Sequence, residues 1–203
     1  NKIFMVNSGS AATDLALRMS RTHTDRNKVA ILEYGYHGNS TLGIEVSSYK
    51  FDGKGGSGAG STVIKLPFPS EFGGAFDSSD QYVQDAIARV KSSMEEGEKP
   101  CAFIGEMISG CGGQIPLAPG YMKALNQFLQ ENGILTIADE VQTGFGRLGS
   151  WFWAYEMHDF IPDIVILGKP MANGHPMGAV VTTSEIAARF SNGMEFFSSF
   201  GGN

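Results

Sequence analysis

The chain has 203 residues, a formal net charge of −6 and a pI near 5.2, an acidic balance that argues against a nucleic-acid binder, which normally shows a basic face. Hydrophobic residues make up 42% and charged residues 18%, which supports a substantial core and excludes wholesale disorder. No apolar run approaches a membrane span, no signal peptide is visible, and two cysteines, Cys101 and Cys111, make no disulfide framework, so the expected setting is a reducing cytoplasm.

In chain order, Asn7-Ser8-Gly9-Ser10 leads into a predicted helix over 11–21, rich in alanine and leucine and basic at its C-terminal end. Ser8 or Ser10 is a candidate cap, and Gly9 lets a ligand approach the backbone. The free N–H groups of such a first turn form an anion site. Residues 28–33 and 61–66 read as strands. Between them, Gly53-Lys54-Gly55-Gly56-Ser57-Gly58 matches the dinucleotide pattern G-x-G-x-x-G. Its context is wrong: no strand precedes it and a strand rather than a helix follows, so it reads as a flexible loop.

Residues 79–94 form a predicted helix with Tyr82, Val83, Ala86, Ile87 and Val90 on one face. A strand over 101–106, a helix over 120–132 and strands over 133–139, 163–168 and 177–183 follow, then a helix over 184–190. Near-continuous apolar strands alternating with helices predict an α/β fold, a mainly parallel sheet with helices on both faces. No internal repeat is evident.

Two of those strands end on chemistry. Asp139 closes the strand over 133–139, and Lys169 follows the strand over 163–168. In an open α/β sheet, ligands bind where strands end and loops begin. A carboxylate and an amine there suit a cofactor with a basic ring nitrogen and an aldehyde. Pyridoxal phosphate has both, and the first-turn anion site supplies the place for its phosphate. Lys169 would form a Schiff base with the aldehyde, which requires an unprotonated amine and hence a buried position. Asp139 would keep the ring nitrogen protonated, making the ring an electron sink.

Five blocks then carry a resemblance: Asn7-Ser8-Gly9-Ser10, Tyr36-His37-Gly38, Ala138-Asp139-Glu140-Val141-Gln142-Thr143-Gly144-Phe145-Gly146, Gly168-Lys169 with Asn173-Gly174, and Ser198-Ser199-Phe200-Gly201-Gly202-Asn203. In order and spacing the chain resembles the class III aminotransferases, pyridoxal-phosphate enzymes of the type I (aspartate aminotransferase-like) fold. Within them it looks most like the branch of ethanolamine-phosphate and phosphohydroxylysine phospho-lyases, on Ser48-Tyr49-Lys50-Phe51, Ser109-Gly110-Cys111-Gly112-Gly113-Gln114 and Gly168 to Pro176.

The resemblance implies a set of roles. Gly9 and Ser10 bind the phosphate, Tyr36 stacks on one ring face, and Val141 covers the other. Gln142 reaches the phenolic oxygen, Glu106 supports that network, and His37 lies near the site. Ser199 stands where the family usually has threonine and reaches the phosphate of the neighbouring subunit, which implies a homodimer with a composite active site. No metal is expected. Three departures stand out: Ala11 in place of a frequent glutamate, Ser199 for threonine, and Cys111 where many transaminases pair a glutamate with a substrate arginine.

The family's chain is longer at both ends, so residues 1–203 are expected to be most of the large domain, lacking an N-terminal segment and a C-terminal small domain. Such a piece alone is expected to expose apolar surface. The expected function is transaminase-type chemistry on a small primary amine or amino acid. Elimination of phosphate from a phosphorylated amine, and a non-catalytic protein on the same fold, stand as alternatives.

Overall fold

The structure is a computed structural model that describes residues 1–201; Gly202 and Asn203, the end of the fifth block, lie outside the described residues. Short aliphatic runs build its central sheet. Strands buried on both faces need apolar residues at every position rather than at alternate ones. Strands β2 (Val29–Leu32), β4 (Ala102–Glu106) and β7 (Leu135–Asp139) are buried at every residue, and β8 (Ile164–Leu167) nearly so. With β3 (Val63–Leu66), these strands pair in parallel. Strands β9 (Gly178–Thr182) and β1 (Lys2–Val6) add antiparallel to the other side. The order is β1-β9-β8-β7-β4-β2-β3. A separate ribbon joins β5 (Ile108–Ser109) to β6 (Ile115–Pro116).

Helices cover both faces. On one, α1 (Gly9–Thr24) and α6 (Ser184–Phe190) bury Leu15, Met19, Ile186 and Phe190 against Ile31, Ile104, Ile137 and Val180. On the other, α4 (Ser79–Glu95) and α5 (Tyr121–Glu131) bury Tyr82, Ala86, Val90, Met122 and Leu125 against Ala30, Leu32 and Phe103. Strand alternation divides the residues: in paired β2 and β4, Ile31 and Ile104 face one layer, Ala30 and Phe103 the other. Two short helices, α2 (Thr41–Glu45) and α3 (Ser48–Phe51), lie between β2 and β3.

Each expected strand and helix is present, trimmed by one or two residues at most ends, except that α1 starts and ends beyond its expected range and α4 runs one residue past its own. The Gly53 segment is an exposed loop, as expected. The sequence reading lacked β1, α2, α3, the β5–β6 ribbon and the 3₁₀ turns at Ala154–His158 and Lys169–Ala172. Strand β1 escapes a periodicity search because it is a sheet edge whose first residues are exposed. Among the described residues, no helix is long and apolar enough to cross a membrane.

Candidate active site

The parallel strands β2, β4, β7 and β8 deliver their C-terminal ends to one edge, and α1 begins there too. A cleft of about 160 Å³ opens at that edge, lined among others by Gly9, Ser10, Tyr36, His37, Glu106, Asp139, Val141, Gln142 and Lys169. These are nine of the ten residues singled out in the sequence. The tenth, Ser199, is exposed and does not line the cleft.

Ser8, not Ser10, caps α1: its hydroxyl accepts from Ala11 N at 3.2 Å, and its carbonyl accepts from Ala12 N at 3.0 Å. Helix geometry leaves the N–H groups of Gly9 and Ser10 without intrahelical partners, and both residues line the cleft. The Ser10 hydroxyl instead accepts from Asn39 N at 3.0 Å, tying α1 to the loop after β2. Gly38 makes that contact possible: its φ is +142°, and a Cβ there would lie 3.0 Å from Ser10 Cα.

The Tyr36-His37 backbone is held on every side. Tyr36 N donates to Glu106 Oε2 at 3.1 Å, His37 N to Ser47 Oγ at 2.8 Å, and Thr13 Oγ1 donates to His37 O at 2.6 Å. Sequence reasoning missed Thr13 and Ser47, which carry no motif; only their burial beside the loop reveals them.

His37 Nδ1 sits 2.7 Å from Asp139 Oδ2, and both side chains are buried. The other Asp139 oxygen accepts from Val141 N at 3.1 Å. Burial alone pulls the His37 imidazolium down, but the Asp139 hydrogen bond and the charges of Asp139 and Glu106 outweigh it, and the histidine is raised above its ordinary value. His37 Nε2 is buried without a partner. Glu106, facing Asp139 across the β4–β7 pair, is raised by burial and then by the Asp139 charge. Its Oε1 accepts from Gly110 N at 3.1 Å. The site is thus a buried acid, base, acid chain under a slot.

The slot has a shaped floor. A Cβ on Gly9 would fall 2.8 Å from Val141 Cγ1, and one on Gly168 would fall 3.1 Å from the same atom. The half-buried Val141 therefore fills the space of two absent side chains. Lys169 Nζ donates to Gln142 Oε1 at 3.3 Å. One expectation fails here: Lys169 is exposed rather than buried. It heads a 3₁₀ turn at φ +32°, a conformation that costs a non-glycine residue energy and turns it off the strand end. Glu140, buried beneath the same loop, accepts from Thr143 Oγ1 at 2.7 Å and Tyr155 N at 2.9 Å, fixing Val141 and Gln142 from below.

A larger hollow of about 620 Å³ lies away from this edge, between Phe4, Ala187, Phe190 and Phe196. Its walls are mostly apolar and no chain of titratable groups converges on it, so convergence rather than size marks the site.

The sequence profile of the class-III aminotransferases matches residues 1–203. The chain belongs to that family. It is 44% identical to an alanine–glyoxylate aminotransferase 2-like protein of Drosophila melanogaster, over 98% of this chain and 42% of that one. Among solved structures, a phospholyase from Arthrobacter in complex with phosphoethanolamine superposes with a TM-score of 0.88 at 35% identity, covering 100% of this chain and 48% of that one. An aminotransferase from Vibrio fluvialis in its PMP-bound form gives a TM-score of 0.84 at 27% identity, covering 98% and 47%. The chain thus spans under half the length of these relatives.

Proposed function

We propose that this chain is most of the large domain of a pyridoxal-phosphate enzyme that performs transaminase-type chemistry on a small primary amine or amino acid. The observation that carries the reading is the Asp139–His37 pair buried under a slot whose open side holds the amine of Lys169. The residues fit the cofactor. The first turn of α1 suits the phosphate, the Asp139 carboxylate suits a protonated ring nitrogen, and Val141, seated on Gly9 and Gly168, and Tyr36 suit the two faces of a flat ring. Bound there, pyridoxal phosphate supplies an electron sink for charge developing at the amine-bearing carbon.

Asp139 holds a proton at the ring nitrogen, and His37 fixes the carboxylate's orientation. Gln142 orients Lys169 through its Oε1, and its amide N–H would be the donor to the cofactor's phenolic oxygen. Glu106 holds the backbone of Tyr36 and Gly110 around the ring. Lys169 moves the proton at the substrate carbon. Ser199, exposed and outside its own cleft, serves the phosphate of a second copy, giving a homodimer with composite sites. Large exposed side chains, among them Phe197 and Ile161, support an assembly that covers them. Free Cys101 and Cys111 support a reducing cytoplasm.

A second reading, elimination of phosphate from an amine such as ethanolamine phosphate, is favoured by one observation. Position 111 carries a thiol that stays neutral, raised by partial burial and then by the Glu106 charge. It cannot pair with a substrate arginine as a glutamate would. The test uses the full-length parent enzyme with phosphoethanolamine, following phosphate and carbonyl product. Phosphate release without an amino acceptor supports elimination; acceptor-dependent amine transfer supports transamination. Activity surviving Lys169→Ala would overturn both.

A further inference from the structure

The His37 ring has one polar anchor. Nδ1 meets Asp139 Oδ2 at 2.7 Å, whereas Nε2 is buried without a partner, and a Cβ on Gly35 would lie only 2.9 Å from it. A ring held at one atom takes the rest of its orientation from its backbone. That backbone is gripped at both polar atoms, the N–H by Ser47 and the carbonyl by Thr13. Ser47 belongs to the same segment between β2 and β3, and its hydroxyl turns back onto Gly43 O at 2.5 Å. Thr13 comes from the second turn of α1, 24 residues away in sequence.

Serine and threonine inside helices commonly return their hydroxyls to the carbonyl four residues back. Helix α1 does this twice: Ser20 Oγ donates to Ala16 O at 2.9 Å, and Thr24 Oγ1 donates to Ser20 O at 2.8 Å. Thr13, fully buried, instead donates out of the helix to His37 O at 2.6 Å. Its neighbours also reach that loop. Ser10 Oγ accepts from Asn39 N at 3.0 Å, and Asp14 Oδ1 accepts from Ser40 Oγ at 2.6 Å. Positions 10, 13 and 14 share one helix face. The helix whose first turn suits a phosphate is therefore tied to the loop that carries His37, and Thr13 is the contact that reaches His37 itself.

We propose that Thr13 is a positioning residue. Its hydroxyl sets the His37 backbone so that Nδ1 meets Asp139, and it thereby links the phosphate end of the cofactor site to the ring-nitrogen end. This rests on the pyridoxal-phosphate reading of the cleft given above.

The test is made on the full-length enzyme. Equilibrium dialysis measures affinity for pyridoxal phosphate, and titration gives the pH midpoint of the bound cofactor's visible band. Thr13→Val keeps the shape of the side chain and removes the donor; Thr13→Ser keeps the donor. Thr13→Ala, a better helix former without the donor, makes the same comparison if the valine variant does not fold. Thr13→Val should weaken the cofactor by roughly three- to tenfold, the scale of one buried hydrogen bond, and should move the band's midpoint in the same direction as His37→Gln. Thr13→Ser should return both toward wild type. In a His37→Gln background, Thr13→Val should add a loss of less than about twofold, because a group acting through His37 has nothing left to place. Full additivity in that cycle, an unmoved midpoint, or Thr13→Ser behaving like Thr13→Val would overturn the proposal while leaving the cofactor reading in place. A wild type with no visible cofactor band would overturn the cofactor reading and this proposal with it.

Discussion

The floor of the slot offers the sharpest test, because one clash can be made and then relieved. Gly9→Ala places a methyl 2.8 Å from Val141 Cγ1 and 3.1 Å from Cγ2, with Cβ at 3.5 Å. Carbon atoms rest about 3.5–4.0 Å apart, so Val141, which lines the cleft, must shift. Overpacking of this kind costs about 1–3 kcal/mol. At the first position of α1, alanine's better helix propensity returns only part of its interior value of about 1 kcal/mol, so a mid-range clash of about 2 kcal/mol leaves a net cost of about 1–2 kcal/mol. If that cost falls on the bound state, the dissociation constant for pyridoxal phosphate rises by roughly five- to thirtyfold. Val141→Ala alone deletes two half-buried methyl groups, about 1 kcal/mol at ~0.8 kcal/mol per fully buried carbon. The double variant retains only the ordinary 3.5 Å contact, so its loss should fall short of the sum by about 1 kcal/mol. Equilibrium dialysis of the four full-length proteins against pyridoxal phosphate measures this cycle. Strict additivity, within about 0.3–0.5 kcal/mol, or wild-type affinity in Gly9→Ala, would refute the account of the floor.

The pH dependence has a definite sign. His37 is raised in the folded protein above its ordinary 6.5, so its contribution to stability is complete below about that pH and is lost as pH climbs through the raised value. Thermal midpoints of wild type minus His37→Gln should therefore fall as pH rises above ~6.5; a difference that grows with pH would contradict the pairing. Ser199→Ala should weaken pyridoxal phosphate by roughly fivefold, the worth of about one hydrogen bond. It should do so only in the assembled enzyme, which dialysis above and below the dissociation concentration of the dimer would reveal.

What the sequence made legible follows from where the free energy lies. Strands β2, β4, β7 and β8 are buried on both faces, so their composition is forced, and the residues at their ends could be placed on one edge before any coordinates. Asp139 was found that way, whereas Glu106 and Tyr36 were singled out by the family resemblance. The short helices α2 and α3 were not, since each is held by one or two serine contacts rather than by an amphipathic stripe: Ser40 caps α2, and the Ser48 hydroxyl of α3 donates to Leu32 O at 2.9 Å. The direct contact between His37 and Asp139 spans two strand ends with β4 between them, so adjacency in sequence gave His37 a location and no role. The exposure of Lys169 was misjudged because the strand before it is buried, whereas the 3₁₀ turn rotates the chain outward one residue later.

The edge strand β1 has a kinetic consequence. It pairs with β9, Val6 against Gly178, so β1 finds its sheet partner only after every other strand of that sheet has been made. The start of α1 depends on the same late arrival: Gly178 packs so closely that a Cβ there would lie 2.6 Å from Ser8 O. During synthesis at about 5–20 residues per second, β2, β3, β4 and β7 can associate in order while the emerging α1 waits without its floor. Closure over such a separation is slow and entropically costly. The anion-binding turn is therefore organised only once this sheet is complete, and cofactor capture reports a finished sheet rather than guiding its assembly.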